Sequence, residues 1–118
     1  MMIINRTRGV TVSEDAREAR SFLSRLRGLM LTKTLQTLVL VNPHPDIEGA
    51  SIHMWFMRQP LDVIWLNERM KVVTLAESIR PWALRIFRPR ASAKYVIECP
   101  VGTIKRTGTK EGDSFSFA

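Results

Sequence analysis

The chain has 118 residues, of which 18 are lysine or arginine and 11 are aspartate or glutamate, so its formal charge is +7. This length is typical of one domain, and a hydrophobic content of 45% excludes a disordered or low-complexity chain. A single cysteine, Cys99, excludes an intramolecular disulfide and a multi-cysteine zinc site.

The first part of the chain predicts short strands followed by one helix. Residues 2–12 predict one or two strands with a turn at residues 7–9. From residue 14 to residue 27, apolar side chains recur at three- and four-residue steps, which is typical of a helix with one buried stripe. Ser13 is a suitable N-cap and Gly28 a suitable C-terminal stop, so we expect a short helix near residues 14–27.

The rest of the chain predicts mainly antiparallel strands. Residues 38–41 are a β-branched apolar run that ends in a proline-rich turn cluster at residues 42–46, and residues 51–57 are expected to be extended. Residues 61–66 are apolar on both faces, which is typical of a central strand covered from each side. Further strands are predicted at residues 71–76, 94–99 and 114–117.

These patterns predict one compact α+β domain over residues 1–118. We expect it to be β-rich and mainly antiparallel, barrel-like or half-barrel, with the helix near residues 14–27 as its helical element. Cys99 is interpreted as a buried thiol at a strand end. The chain shows no disulfide framework, no signal-like start and no apolar run of about 18 residues, so we expect a cytoplasmic protein without a membrane span.

A group of polar residues interrupts the apolar centre of the sequence. Asp62 stands inside the predicted central strand, where an unpaired carboxylate is costly, so we expect it to be paired, hydrogen-bonded or protonated. Its candidate partners are Arg58, His53 and backbone N–H groups at the adjacent proline bend. In a structural interpretation, which we favour, Asp62 accepts hydrogen bonds that hold the loop before the strand, and Arg58 completes a buried pair. In a functional interpretation, His53, Arg58 and Asp62 face a pocket, and the carboxylate or imidazole acts as acid or base.

The sequence predicts neither a metal nor a cofactor. Potential metal ligands occur at His44, Asp46, Glu48 and His53, but their spacing matches no known ligand pattern. The glycines at positions 102, 108 and 112 are isolated turn residues and not a phosphate-binding loop.

The net charge is concentrated in one segment. Between residues 80 and 110, eight basic residues stand against one acidic residue, Glu98, and the remainder of the chain is neutral. Within residues 80–90, arginines alternate with aromatic side chains, a combination that suits phosphates and bases. The predicted anion-contacting residues are Arg80, Trp82, Arg85, Arg88 and Arg90. The alternative is a solvated loop whose aromatic residues cap the core while the arginines extend into solvent.

Five pieces of the sequence together resemble one family. They are Arg27-Gly28-Leu29-Met30, the run from His53-Met54-Trp55-Phe56-Met57-Arg58 through Leu66-Asn67, Lys71-Val72-Val73, Tyr95-Val96-Ile97-Glu98-Cys99-Pro100-Val101-Gly102-Thr103, and Gly112-Asp113. Over about residues 16–117 this order resembles the widespread uncharacterised family known as domain of unknown function 192. The resemblance implies a compact β-rich domain and no agreed activity, substrate or cofactor. If the family shares an active site, the resemblance implies that this chain most nearly keeps that site at Arg58, Asp62 and Glu98.

We therefore predict a non-catalytic binding module whose basic loop at residues 80–90 contacts an anionic partner, either a nucleic acid or an acidic protein. The second hypothesis is a small enzyme or small-ligand-binding domain with a polar pocket around His53, Arg58 and Asp62 and with Glu98 as a further candidate catalytic residue.

Overall fold

The computed structural model describes residues 1–19, 37–52, 59–82 and 86–118. In chain order the elements are β1 (Ile3–Asn5), β2 (Val10–Ser13), β3 (Arg17–Ala19), β4 (Leu38–Asp46), a 3₁₀ turn (Glu48–Ala50), β5 (Leu61–Leu66), β6 (Val72–Ile79), β7 (Ala93–Pro100), α1 (Thr103–Thr107) and β8 (Phe115–Phe117). The chain is therefore β-rich with little helix, as the sequence predicts.

The strands form two sheets. The smaller has the order β2-β1-β8 and the larger the order β3-β4-β7-β5-β6, and every pairing except β3 with β4 is antiparallel. β5 lies between β6 and β7 and all six of its residues are buried, which confirms the predicted central strand. β3 and β6 remain as separate edges of the larger sheet, so within the described ranges no closed barrel forms.

The larger sheet is apolar on both faces. One face, here called the Trp65 face, carries Leu38, Leu40, Val63, Trp65 and Val96 and packs against Ala50, Ile52 and Phe87. The opposite face, the Ile64 face, carries Val39, Val41, Ile64, Leu66 and Ile97 and packs against Ile3 and Phe115 of the smaller sheet and Ile104 of α1. Trp65 satisfies its indole N–H by donating to the carbonyl oxygen of Ala50 at 2.7 Å, as a buried tryptophan must.

The predicted helix near residues 14–27 is wrong over its described part. Residues 17–19 form β3, which pairs with β4 in parallel from Arg17 opposite Leu38 to Ala19 opposite Leu40. The remaining residues, 20–27, lie outside the described part of the chain. A short helix has little stability of its own, so pairing with a buried strand outweighs the local helical pattern.

The described helix lies elsewhere, at Thr103–Thr107. Five residues are too few for a helical period to show in the sequence. The helix is bounded by Gly102 (φ 96°) and Gly108 (φ 67°), both in the left-handed region that glycine adopts without strain.

Two further predictions need correction or remain open. The proline-rich cluster at residues 42–46 is not a turn but the continuation of β4. The strand tolerates its two prolines because the pairing of β4 with β7 is irregular between Val41 and Asp46, so neither proline belongs to the regular ladder. Of the expected extended segment 51–57, only Ser51 and Ile52 belong to the described residues, and Ile52 pairs with Phe87 in an isolated bridge.

Candidate functional site

Asp62 is fully buried in β5, and its carboxylate is held by backbone groups. Oδ1 accepts a hydrogen bond from the Ser78 N–H at 2.9 Å. Oδ2 accepts from the N–H groups of Gly102 at 3.1 Å and Ile104 at 3.0 Å. These three backbone donors give both oxygens of the buried side chain hydrogen-bond partners, as a buried polar group requires. Asp62 therefore accepts hydrogen bonds that hold the fold together, but from β6 and the start of α1 and not from the loop before β5 that the structural interpretation names.

Within the described part of the chain, each of these three N–H groups has no other acceptor, for a local reason. Between Leu61 and Val63 the register of β5 against β6 shifts by one residue, so β6 bulges opposite Asp62, and the bulged Ser78 has a left-handed backbone (φ 53°). Gly102 and Ile104 lie at the start of α1, where backbone N–H groups have no partner inside the helix. The Asp62 carboxylate thus joins the end of β6 to the start of α1.

The partners differ from those expected from local sequence. They lie 16, 40 and 42 positions from Asp62 along the chain, whereas the expectation was the neighbouring proline bend. His53 and Arg58 lie outside the described part of the chain. Backbone N–H groups were among the partners expected for Asp62, but the observed ones come from distant parts of the chain. Proximity in the sequence does not show which loops contact a strand.

Cys99 lies opposite Asp62 on the adjacent strand, and its thiol is unreactive. Its side chain is fully buried, and its Sγ lies 3.4 Å from the Asp62 carbonyl oxygen as a weak donor. Burial raises the pKa of the Cys99 thiol to about 12. Since the thiolate is the reactive form, the prediction of a buried thiol at a strand end is confirmed.

Among the acidic residues that the structure describes, Glu98 has the pKa that departs most from its ordinary value. Its residue is 6% exposed, and the register places it on the Trp65 face between Leu38 of β4 and Val63 of β5. Within the described residues its carboxyl group has neither a hydrogen-bond nor an ion-pair partner. Burial alone raises the pKa of Glu98 from 4.5 to about 7. Glu98 therefore changes protonation near neutral pH.

Asp62 and Glu98 do not form one site. Asp62 is paired with Cys99 and Glu98 with Val63, so the two carboxyl groups occupy adjacent strands but opposite faces of the sheet. Asp62 and Glu98 therefore do not line one pocket, and His53 and Arg58, the other members of the predicted pocket, lie outside the described residues. Glu98 is the candidate that keeps a chemically unusual environment.

A small cavity lies farther along the Trp65 face. It measures about 70 Å³ and is lined by Leu40, Val41, Asn42, Gly49, Ser51, Ile52 and Val96. Leu40 and Val96 form the strand pair two positions from the pair of Leu38 and Glu98. The polar side chains of the cavity already have partners: the Asn42 amide donates to Asp46 and to the Ala93 carbonyl, and the Ser51 hydroxyl donates to the Ile47 carbonyl.

The candidate metal ligands are not assembled. Asp46 accepts hydrogen bonds from the Asn42 side chain at 2.9 Å and the Gly49 N–H at 2.8 Å. Glu48 forms an ion pair with Arg88, His44 is exposed, and His53 lies outside the described residues. Where the structure describes the chain, no three His, Cys, Asp or Glu side chains converge as a metal site would require.

The second half of the basic loop is engaged with the protein itself. Arg88 pairs with Glu48 and Arg90 with Glu111, each at 3.0 Å and each on the surface. Phe87 is half-buried against the Trp65 face, and Pro89 is buried. This half fits the alternative in which the loop caps the core. Arg85 lies outside the described residues.

The described start of the loop is different, because Arg80 and Trp82 are exposed to solvent. Arg80 is exposed, and Trp82 is 55% exposed. The backbone of Trp82 is in the left-handed region, with φ 61°. At the start of α1, Val101 is 43% exposed and Lys105 is exposed. We call Arg80, Trp82, Val101 and Lys105 the Trp82 surface.

The Asp62 hydrogen bonds link the two chain segments that carry the Trp82 surface. Ser78, two residues before Arg80, and Gly102, next to Val101, donate to the two oxygens of the same carboxylate. The ends of β6 and β7 flank the same residue of β5, since Ile79 and Pro100 pair with Leu61 from its two sides. Sequence reasoning did not include Val101 or Lys105, because nothing local links residue 101 to residue 80.

A second buried polar network explains the Gly112-Asp113 piece of the family pattern. Asp113 accepts hydrogen bonds from Arg8, from the Asn5 amide at 3.0 Å and from the Lys110 N–H at 3.0 Å. Burial by itself would raise the pKa of Asp113, but these donors outweigh it and hold the pKa below its usual value. This network joins β1 to the segment before β8, so it stabilises the smaller sheet.

Comparison with known proteins identifies the family. The profile of domain of unknown function 192, described as "Uncharacterized ACR, COG1430", matches residues 3–117. The chain belongs to this family. A UPF0127 protein of Thermococcus kodakarensis is 42% identical over 98% of this chain and 73% of its own length. The UPF0127 protein of Pyrococcus furiosus is 37% identical over 98% of this chain and 97% of its own length. The family is uncharacterised and its match assigns no activity.

Two solved structures share the fold. A protein of unknown function from Novosphingobium aromaticivorans superposes with a TM-score of 0.88 at 22% identity, over 99% of this chain and 84% of its own. A protein of Sinorhizobium meliloti, described as a candidate transcription regulator, superposes with a TM-score of 0.84 at 23% identity, over 98% of this chain and 89% of its own. At these identities the likeness shows the fold alone. In the described ranges, every helix is too short and too polar to cross a bilayer.

Proposed function

We propose that this DUF192 domain is a non-catalytic binding module and that the Trp82 surface contacts an anionic partner. The observation that carries the proposal is that the buried Asp62 carboxylate links Ser78, two residues before Arg80, to Gly102 and Ile104 at the start of α1. A preformed surface loses little conformational entropy on binding, so its charges and aromatic ring contribute directly to affinity.

The distribution of charge supports this surface over the rest of the basic loop. Among the described residues, no acidic side chain forms an ion pair with Arg80 or Lys105. Arg88 and Arg90 already have carboxylate partners, and Arg106 donates to the Thr11 and Val12 carbonyl oxygens at 3.1 and 2.8 Å. The proposal therefore narrows the predicted contact set to Arg80 and Trp82 and adds Lys105.

A nucleic acid is the partner that we favour, since it combines closely spaced phosphates with aromatic bases. A nucleic-acid partner is compatible with the description of the S. meliloti protein that shares the fold. The proposal places the protein in the cytoplasm, where nucleic acids are accessible and where a lone free cysteine is the usual pattern.

The test is a binding titration by fluorescence anisotropy at several salt concentrations. The probes are labelled single-stranded DNA, single-stranded RNA, duplex DNA and an oligoglutamate peptide. We expect binding at low salt that weakens log-linearly with salt, with a slope reduced by about one for each phosphate-contacting residue removed. Arg80→Ala and Lys105→Ala are the test variants.

The matched control is Arg69→Ala. Arg69 is also an exposed arginine, but it lies in the turn after β5, about 20 Å along the strand from the Trp82 surface. Equal losses in Arg69→Ala and Arg80→Ala would show that binding follows net charge and not this surface. No binding of any probe at low salt would remove the proposal, and binding of the oligoglutamate peptide alone would assign an acidic protein as the partner.

The buried Glu98 carboxyl supports a second candidate function, a small-ligand-binding or enzymatic site on the Trp65 face. A carboxyl group with a pKa of about 7 holds and releases a proton at neutral pH, which a general acid or base requires. Asp62 has no part in this candidate, because it lies on the other face. The test is a thermal-shift screen of small amines and amides against the wild type and Glu98→Gln. A ligand that stabilises only the wild type would support it, and equal responses of both proteins would exclude it.

A further inference from the structure

The small cavity on the Trp65 face lies beside an irregular stretch of β4. Between the pair of Val41 with Tyr95 and the pair of Asp46 with Ala93, β4 contains four residues (42–45) and β7 contains one (94). Such a bulge bends the strand and interrupts its pairing with its neighbour. The cavity is lined by residues 40–42 where this stretch begins, by residues 49, 51 and 52 of the segment that follows, and by Val96 of β7.

Gly49 allows two polar side chains to approach the wall of the cavity. A Cβ at this position would lie 2.6 Å from Asp46 Oδ1 and 3.0 Å from both the amide nitrogen and the amide oxygen of Asn42. The Gly49 N–H instead donates to Asp46 Oδ1 at 2.8 Å. The amide end of Asn42 therefore lies at the part of the wall that Gly49 forms.

The Asn42 amide has spare capacity only as an acceptor. Asn42 is 6% exposed, and its nitrogen donates to Asp46 Oδ1 at 2.9 Å and to the Ala93 carbonyl oxygen at 3.2 Å. Because both of these partners are acceptors, the nitrogen and oxygen of the amide are assigned unambiguously. Among the described residues, no group donates to its oxygen, Oδ1. A buried acceptor without a donor is costly, so it indicates a further partner.

Ser51 provides a second acceptor on the cavity wall. Its hydroxyl donates its one proton to the Ile47 carbonyl oxygen at 3.0 Å, which leaves the lone pairs of Oγ available. The side-chain donors of the cavity are thus used within the protein, while its acceptors are not. A cavity of this kind suits a ligand that only donates hydrogen bonds.

The charge beside the cavity is negative, although the protein as a whole is basic. The Asp46 carboxylate accepts from the Asn42 amide and thereby makes its oxygen a stronger acceptor. No lysine or arginine of the described residues forms an ion pair with Asp46, and the sequence has neither residue type from position 34 to position 57. Arg88 already has a carboxylate partner, and the Lys94 ammonium lies over the Tyr95 ring at 5.6 Å. These charges favour a cationic donor over a neutral one.

We infer that this cavity binds the primary ammonium group of a small alkylamine. The ammonium donates to Asn42 Oδ1 and Ser51 Oγ, and its short carbon stem contacts the apolar part of the wall, formed by Leu40, Ile52 and Val96. A volume of about 70 Å³ equals that of about two water molecules, which suits an ammonium on a stem of one or two carbons. The inference depends neither on the Trp82 surface nor on Glu98.

The test is an NMR titration of the ¹⁵N-labelled full chain with ethylammonium chloride. A ligand of three heavy atoms binds no more tightly than about millimolar, a range that chemical shifts measure well. The signals followed are the side-chain amide of Asn42 and the backbone N–H groups of Gly49 and Ser51. Ethanol is the neutral ligand of equal size, and sodium chloride at equal ionic strength is the inorganic control.

We expect ethylammonium to shift these three signals with a saturable curve and a Kd of about millimolar. Ethanol and sodium chloride should leave them nearly unchanged, because ethanol lacks the charge and sodium lacks the N–H groups. Equal binding of ethanol would show that the cavity accepts any small donor, water included, and would overturn the inference. Equal binding of sodium, or no saturable shift with ethylammonium, would overturn it as well.

Substitutions of Ser51 and Asn42 locate the binding. Ser51→Val replaces the hydroxyl by two methyl groups that fill the cavity, and Asn42→Leu removes the free acceptor, so each should abolish the saturable shift. Ser13→Ala, at a half-buried serine of the smaller sheet, is the control. Circular dichroism establishes that the variants fold, and Ser51→Val decides alone if Asn42→Leu does not. Binding to Ser51→Val as tight as to the wild type would contradict the inference.

Glu98→Gln separates this cavity from the second candidate function. Glu98 does not line the cavity, so we expect the variant to bind ethylammonium as the wild type does. If binding is lost in Glu98→Gln and kept in Ser51→Val, the amine belongs to the Glu98 site and the inference fails. Neither result bears on the nucleic-acid titrations of the Trp82 surface, so the failure of one proposal is distinguishable from the failure of the other.

Discussion

Asp62 and Glu98 lie on neighbouring strands at the same end of the central sheet, yet their carboxyl groups occupy opposite faces. Asp62 is opposite Cys99, and Glu98 is opposite Val63, so one residue of offset separates the two acids into different environments. Asp62 meets three backbone N–H groups, whereas Glu98 meets apolar neighbours among the described residues. Two buried acids in one fold therefore have different roles.

Removal of the Asp62 carboxylate should destabilise the fold. Asp62→Ala leaves three backbone N–H groups without this acceptor, of which that of Ile104 is buried, and we expect the free energy of unfolding to fall by ~1–3 kcal/mol. Urea denaturation measures the change, and Glu68→Ala, at an exposed carboxylate in the turn after β5, serves as the control. An unchanged stability of Asp62→Ala would contradict the role of Asp62 as a structural acceptor.

Glu98 should make the protein less stable as pH rises through the neutral range. Its pKa in the folded state, about 7, lies above the ordinary value of 4.5, so the folded protein holds the proton more tightly than the unfolded chain. Stability is therefore greatest below the ordinary value and is lost as pH rises to about 7. Melting temperatures measured across this range should show the decline in the wild type. Glu98→Gln should flatten it, and an identical decline in the variant would assign it to another group.

Asp113 should produce the opposite dependence in acid. Its pKa in the folded state is lowered from 3.8, so its stabilising contribution is present above that value and is lost as pH falls further. Asp113→Asn should lower stability at neutral pH, because the Arg8 guanidinium loses its charged partner, and should weaken the acid dependence. Acid titration followed by circular dichroism measures both effects, with Glu14→Gln as an exposed control. A steeper acid transition in Asp113→Asn would refute this account.

Cys99 should be protected from thiol reagents in the native state. Its side chain is fully buried and burial raises its pKa to about 12, so both access and thiolate are lacking. We expect labelling by a chromogenic disulfide reagent to occur only in denaturant. Rapid modification of the native protein would show instead that Cys99 is accessible.

The surface ion pairs of the basic loop should contribute little to stability. Arg88 with Glu48 and Arg90 with Glu111 are exposed pairs, a type that contributes about 0–1 kcal/mol. The double substitution Glu48→Gln with Glu111→Gln should leave the melting temperature nearly unchanged. It should also increase affinity for anionic probes, because it removes two carboxylates beside two arginines. A large loss of stability would show that these pairs help to hold the loop on the core.

Much of the strand framework followed from local patterns, because apolar runs and alternation report burial directly. The central strand Leu61–Leu66 and its hairpin partner are examples. The helix near residues 14–27 failed at residues 17–19, since a pattern of alanines does not reveal that β4 is available for pairing. For the candidate site, the sequence located Asp62 in an apolar strand and required a partner for it, but the partners belong to residues far along the chain.

By itself the sequence determined the family, the β-rich class and the concentration of the whole +7 charge between residues 80 and 110. It did not determine which of those charges are available. The tertiary structure decided that Arg88 and Arg90 have carboxylate partners, and that Ser78, two residues before Arg80, shares the Asp62 carboxylate with Gly102 at the start of α1. The physical reason is that charge and hydropathy are properties of single residues, whereas availability depends on what the folded chain places next to them.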